Sequence, residues 1–192
     1  MPAVDAIEAI LTRTSVRRAV EPAPEGADLE LLLRAALRAP DHGLLRPWRF
    51  VLVRGEALDR LGEVFARALA ARRPDAPEED LARERAKTRR APLLLVVVSR
   101  PRAGVANVPV VEQVLSAGAA AVNVLLAAHA LGYGAMWRTG AAAYHPLVHD
   151  ALGLDPEESI VGFLYLGTPA DSAGPPRPPE PEMAQFVSEW TG

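Results

Sequence analysis

The 192-residue sequence predicts a mixed fold. An α+β layer around one long helix fits it at least as well as a parallel α/β sheet. Three observations lead there. Apolar residues recur at helical spacing in several segments. Four short apolar runs read as strands, and they are unevenly spaced. Between two of them lies an alanine-rich stretch, residues 110–131, whose length and pattern specify a helix.

Each element follows from its pattern. Residues 3–13 place Val4, Ile7 and Leu11 on one helical face, with Ala6 and Ile10 beside them. Residues 28–39 repeat this with Leu29, Leu32, Leu33, Ala36 and Leu37, and Pro40 stops that helix. Residues 50–53 form a short apolar run ending at Gly55 and predict a buried strand. Residues 57–71 are helical, with Leu58, Leu61, Val64, Phe65 and Leu69 on one side. Residues 74–90 carry acids first and bases later, the order that suits a helix dipole, and predict a solvated surface helix. Residues 93–99 are continuously leucine and valine before Ser99, hence a central strand. Gly132 ends the long helix, residues 134–137 and 160–166 predict two more strands, and residues 146–152 a short helix between them. Proline-rich residues 169–181 predict an extended arm, and residues 182–190 a terminal strand or arm.

Composition narrows the function classes. Hydrophobic residues make up 49%, enough for a core. A net charge of −3 disfavours a nucleic-acid partner. The absence of cysteine removes disulfides, thiolate metal sites and cysteine nucleophiles, and fits a cytoplasmic protein. Met1-Pro2-Ala3-Val4-Asp5 has an early acid and no basic stretch, so a signal peptide is not expected. Residues 114–136 come nearest to a membrane span, but Asn123, His129 and the glycines favour a buried core helix.

Three segments carry candidate chemistry. Arg13-Thr14-Ser15-Val16-Arg17-Arg18 combines guanidinium groups and hydroxyls that suit a phosphate; taken alone, the segment reads more simply as a basic turn complementing a helix dipole. Ala39-Pro40-Asp41-His42-Gly43-Leu44-Leu45-Arg46-Pro47-Trp48 links a helix to a strand. Either it is an ordinary loop anchored by Trp48, or Asp41 and His42 face a cleft with Arg38 one helical turn away. Trp137-Arg138-Thr139-Gly140 places a flat ring, a cation, a hydroxyl and a glycine at a strand end, where the alternative is a buried Trp beside an exposed turn.

Weaker signals have simpler explanations. His145 and His149 have a zinc-compatible spacing, but Pro146 intervenes and a surface pair is expected. Glu112 and Gln113 open the long helix, where capping or solvation is expected. His129 is expected to be a satisfied core or interface histidine. Dinucleotide-binding, Walker and Gly-x-Ser-x-Gly signatures are absent.

As a set, these pieces resemble the FMN-dependent nitroreductase family, most closely its short, minimal branch of NAD(P)H nitroreductases. The likeness runs over residues 7–169. Its anchors are Arg13-Thr14-Ser15, Arg38-Ala39-Pro40-Asp41-His42, Arg46-Pro47-Trp48-Arg49-Phe50, Ser116-Ala117-Gly118, Met136-Trp137-Arg138-Thr139-Gly140 and Val161-Gly162-Phe163-Leu164-Tyr165-Leu166-Gly167-Thr168-Pro169.

The resemblance implies an α+β fold with a central, mainly antiparallel sheet flanked by helices. It implies a homodimer with FMN at the subunit interface, with residues 1–168 as the FMN-binding domain and residues 169–192 as an arm on the domain or the partner. Arg13, Thr14 and Ser15 would meet the FMN phosphate and ribityl chain. Arg38 and His42 would reach the flavin from the partner subunit. Trp137, Arg138 and Thr139 would complete the pocket, with Gly140 near the reactive edge and Arg17 near the pyrimidine edge. NADH or NADPH would serve as reductant, and a nitroaromatic, quinone or related small molecule as acceptor, in a ping-pong cycle without a catalytic side chain or metal. Other flavin chemistry on this fold, of dehydrogenase or dehalogenase type, and a non-catalytic flavin-binding role are the alternatives.

Departures from the family pattern fall at Thr14, where a second arginine is common, and at Arg46, where glutamine is common. Asp41-His42-Gly43-Leu44 replaces Ser-Ser-x-Asn, and the short branch shares Asp-His.

Overall fold

A computed structural model describes residues 5–170 and 179–192. Most of the proline-rich stretch, and Val4, which the sequence assigns to a helix, therefore lie outside the described residues.

Helix α1 (Ala6–Thr12) starts where the Asp5 carboxylate accepts the Ile7 N–H at 2.9 Å. Strand β1 (Ala19–Val20) precedes α2 (Gly26–Ala36), which ends a turn before Pro40. Strand β2 (Trp48–Arg54) leads into α3 (Glu56–Arg72) and α4 (Glu78–Ala86), then a single 3₁₀ turn and β3 (Leu93–Ser99). Helix α5 (Val110–Ala130) turns sharply into β4 (Gly134–Arg138). Gly132 adopts φ +83° there, and the Tyr133 N–H bonds the Ala128 carbonyl at 2.8 Å. That bond closes a Schellman cap, which needs a left-handed residue. Helix α6 (Pro146–Ala151) and the long β5 (Ser159–Pro169) complete the domain.

The sheet has five strands, in the order β1–β5–β3–β2 with β4 also on β5. All described pairings are antiparallel, which decides between the two sheet types left open by the sequence. Every residue of β3 is buried, as expected of a central strand covered on both faces. Leu93, Leu95 and Val97 pack with α2 and α5, while Leu94, Val96 and Val98 pack with α3 and α6. In β5, Val97 pairs with Gly162 but Val98 pairs with Ile160, so Val161 is an extra residue. This bulge turns Ile160 and Phe163 to the same side despite their odd spacing.

Helix α5 packs Ala117, Ala120, Ala121, Val124, Leu125 and Ala128 into the core, as expected of a core helix, but leaves Val111, Leu115 and Val122 exposed on its other side. Of the two alternatives for residues 182–190, the strand does not form; a 3₁₀ turn over Met183–Gln185 is followed by irregular chain, with Trp190 91% exposed.

Candidate functional site

The first cluster forms where α1 stops. Arg13 leaves helical geometry at ψ 130°, so the residues after it run extended. The Val16 N–H bonds the Ala135 carbonyl at 3.0 Å, laying this segment alongside β4. Thr12 donates its hydroxyl hydrogen to the Glu8 carbonyl at 2.6 Å, and its oxygen lies 2.8 Å from His129 Nε2. Since that hydroxyl has one hydrogen, Nε2 is the donor in the second bond. Burial and the nearby Arg13 guanidinium hold His129 below its ordinary pKa. His129 is thus half-buried and hydrogen-bonded, consistent with the expected satisfied core or interface histidine. Among the described residues, Arg13, Arg17 and Arg18 enter no ion pair.

Strand β4 carries Trp137 and ends at Arg138, with Thr139 next in the chain. The Trp137 indole donates to the Val161 carbonyl at 3.2 Å and lies across Gly162. Its far ring atom faces Gly118 of α5, where a β-carbon would come within 3.9 Å. The ring is therefore partly spent on joining sheet to helix. Arg138 and Thr139 are exposed. Gly140 follows with φ +78°, and no atom lies within 4 Å of where its β-carbon would be. A left-handed, unobstructed backbone here admits a flat group close to the chain.

The second cluster sits in the turn after α2. The Asp41 carboxylate accepts the Arg46 N–H at 2.6 Å, and Gly43, Leu44 and Arg46 take φ of 75°, 52° and 51°. Asp41 thus clasps a tightly wound turn instead of facing a ligand. His42 does face outward, donating from Nδ1 to Glu112 Oε2 at 2.7 Å. The Ser116 hydroxyl holds the Pro40 carbonyl at 2.5 Å. Around this corner lies an open hollow of about 360 Å³, lined by His42, Leu115 and Ala119 among others. Arg38 is exposed beside it and enters no ion pair among the described residues.

Helix α5 separates the clusters. Glu112 and His129 are 17 residues apart on it, roughly 25 Å along the axis. Ser116, against Pro40, and Gly118, against Trp137, project about 200° apart around the same helix. One protomer thus sets Thr12, against His129, and Trp137, against Gly118, on the same side of α5, roughly 17 Å apart along its axis. Its own Arg38 and His42 lie beyond the helix.

Several roles were missed in the sequence. Glu112 is the partner of His42, not merely a cap. Gln113 is buried and receives the Arg102 N–H at 2.8 Å while donating to the Arg102 and Val108 carbonyls. Its amide thereby fastens the loop before α5. The expected surface pair of histidines is structural: His145 accepts the Leu147 N–H at 3.2 Å, and His149 Nε2 lies 2.8 Å from the Ala143 carbonyl. Arg49 grips Glu158 through two bonds, at 2.8 and 2.6 Å, and Glu158 is buried. An arginine placed between Trp48 and the apolar run of residues 50–53 was the available hint.

Residues 10–168 match the pattern that defines the Nitroreductase family. The chain belongs to this family. Among nitroreductase relatives, it is 42% identical over 168 residues to YdjA of Escherichia coli (strain K12), provisionally named an NAD(P)H nitroreductase, covering 86% of this chain and 89% of YdjA. Its fold is similar to that of a nitroreductase-like family protein from Bacillus cereus, with a TM-score of 0.83 at 24% identity over 100% and 99% of the two chains. It is also similar to a Desulfovibrio desulfuricans protein, provisionally named a nitroreductase and solved in complex with FMN. There the TM-score is 0.72 at 28% identity, over 98% of each chain.

Proposed function

We propose that this protein is an FMN-dependent NAD(P)H oxidoreductase that acts as a homodimer on nitroaromatic, quinone or related acceptors. When bound, FMN supplies the redox chemistry, taking hydride from NAD(P)H and passing electrons to the acceptor in a ping-pong cycle. The names of the E. coli and D. desulfuricans relatives support the cofactor and the reductant.

The donor set fits FMN. Arg13, Thr14 and Ser15 offer a guanidinium without a carboxylate partner among the described residues and two hydroxyls, the groups a phosphate and a ribityl chain need. Arg138, Thr139 and the open backbone at Gly140 provide a cation, a hydroxyl and an unobstructed approach for a flat ring edge. A cation at this edge stabilises negative charge on a reduced ring. Arg17 is exposed nearby and serves the same electrostatic purpose.

The observation that carries the dimeric reading is the separation of the clusters by α5. A site containing Arg13, Trp137 and His42 needs two chains. Apolar residues exposed on α1 (Ile7, Ile10) and α5 (Val111, Leu115, Val122) supply a surface for the second copy. The His42–Glu112 bond fixes the imidazole that reaches across. In this reading the flavin domain is residues 1–168, and residues 169–192 are an arm on the domain or the partner.

An absorbance spectrum before and after anaerobic NADPH tests the reading. Flavin bands that bleach are expected. No flavin bands, even after adding FMN, would overturn it; bands that persist would overturn the reductant.

A further inference from the structure

Two side-chain polar atoms lie sealed from solvent without a hydrogen-bonding partner among the described residues. They are the indole Nε1 of Trp48 and the hydroxyl oxygen of Ser99. Trp48 is 8% exposed and Ser99 fully buried. An interior N–H or O–H left unpaired is destabilising, and nearly all such groups in folded proteins are satisfied.

The two orphans are neighbours. Trp48 opens β2, Ser99 closes β3, and the pair stand directly opposite each other in the antiparallel ladder. Opposite residues project from one face, with β-carbons about 4.5–5.5 Å apart. That face is the one covered by α2 and α5. Trp48 packs there with Leu93, Leu95 and Val97, and the alternation of β3 puts Ser99 on the same side. The polar groups next to them along the chain are committed elsewhere. The Pro47 carbonyl accepts the Arg100 N–H at 2.9 Å, and Arg49, on the other face, is bound to Glu158.

An indole N–H only donates, whereas a serine hydroxyl donates and accepts. The two groups are therefore complementary, yet they form no direct bond. Complementary polar groups held just out of direct reach are the setting for a bridging water, and sealed surroundings admit nothing larger. We propose that one buried water joins these side chains, accepting the Trp48 N–H and donating to the Ser99 oxygen. The bridge ties the first residue of β2 to the last residue of β3. These strand ends are where the turn carrying His42 stops and where the loop leading to Glu112 starts. The site belongs to the folded chain with or without a cofactor.

NMR of the full-length protein with ¹⁵N-labelled tryptophan tests this. The chain has three tryptophans, and the indole signal lost in Trp48→Phe is that of Trp48. A rotating-frame Overhauser cross-peak from its N–H to water is expected, with the sign that excludes chemical exchange. Urea unfolding supplies a second readout. Ser99→Ala is expected to raise the unfolding constant roughly tenfold in the otherwise unaltered chain and less than twofold in Trp48→Phe. A water already deprived of one anchor leaves little for the second change to remove. A missing cross-peak overturns the proposal, whether the two groups bond directly or stay apart. So does a Ser99→Ala chain as stable as the unaltered one, which would mean that the hydroxyl had no partner to lose. Equal cost in both backgrounds overturns it too. Should Trp48→Phe not fold, Trp137→Phe and Trp190→Phe identify the signal by elimination, and the cross-peak and Ser99→Ala decide.

Discussion

The Trp137 indole occupies the space that any side chain on Gly162 would need. A β-carbon there would overlap Nε1 and Cδ1 of the ring, whose N–H bonds the adjacent Val161 carbonyl at 3.2 Å. The β5 bulge at Val161 and the glycine after it are thus shaped around one aromatic side chain. Gly162→Ala is expected to expel the indole. Overpacking of this kind costs about 1–3 kcal/mol. Urea denaturation would show that loss, and a red-shifted tryptophan emission would show the ring moving into water.

The Arg49–Glu158 pair predicts an acid sensitivity. Hydrogen bonding to Arg49 first, then the Asp155 N–H and the charges of Arg49 and Arg100, hold the Glu158 carboxyl below its ordinary pKa against the opposing effect of burial. A depressed carboxyl pKa means the unfolded chain binds the proton more readily. The stabilisation is therefore full above the unfolded value, about 4.3, and is lost as pH falls through the lower folded value. Glu158→Gln removes this dependence and leaves Arg49 without its charge partner. A loss of about 2–3 kcal/mol at neutral pH is expected, with a shallower acid limb in thermal melts between pH 5 and pH 2.

His129 offers a spectroscopic test of the first cluster. Its ring is held below the ordinary histidine range by burial and by Arg13. NMR titration is expected to find its pKa below about 6.5. Arg13→Gln is expected to move that value up, because only the electrostatic part is removed. Neutral His129 stabilises the fold above the unfolded pKa, and this is lost as pH falls through the folded one.

The terminal arm presents Met183, Phe186, Val187 and Trp190 to solvent. A tryptophan left so exposed is the kind of group that anchors an interface. Trp190→Ala is expected to weaken self-association at least tenfold by sedimentation velocity while leaving the secondary structure seen by circular dichroism intact.

Much of this architecture was legible because it rests on local periodicity. The leucine-valine run of β3 announced a strand covered on both faces. The alanine-rich pattern of α5 announced its length, and Gly132 its end. The exposed stripe on α5 was not legible, because small residues interrupt the apolar pattern on every side of that helix. Nor was the Val161 bulge, since an extra residue in a strand leaves no mark on composition. Arg13–Ser15 and Trp137–Thr139 were marked by residue type, and their packing sets Thr12 and Trp137 on one side of α5. The partners of Glu112, Gln113 and Arg49 lie 70, 11 and 109 residues away along the chain, beyond any local pattern. For Asp41 the sequence left loop and cleft open, because its partner is a backbone N–H that residue type does not reveal: its oxygen is committed to Arg46.

The central claim is that each flavin site takes Arg13 from one chain and Arg38 and His42 from the other. Mixing two variants tests it most directly. Arg13→Gln and a double Arg38→Gln, His42→Ala chain are each purified, then unfolded together and refolded with FMN. Each variant alone is expected to bind FMN poorly. Random pairing makes half the dimers mixed, each with one intact site, so about a quarter of all sites should regain tight binding. Absorbance of retained flavin after desalting gives the number. A mixture that retains no more flavin than the two variants alone would contradict the shared site.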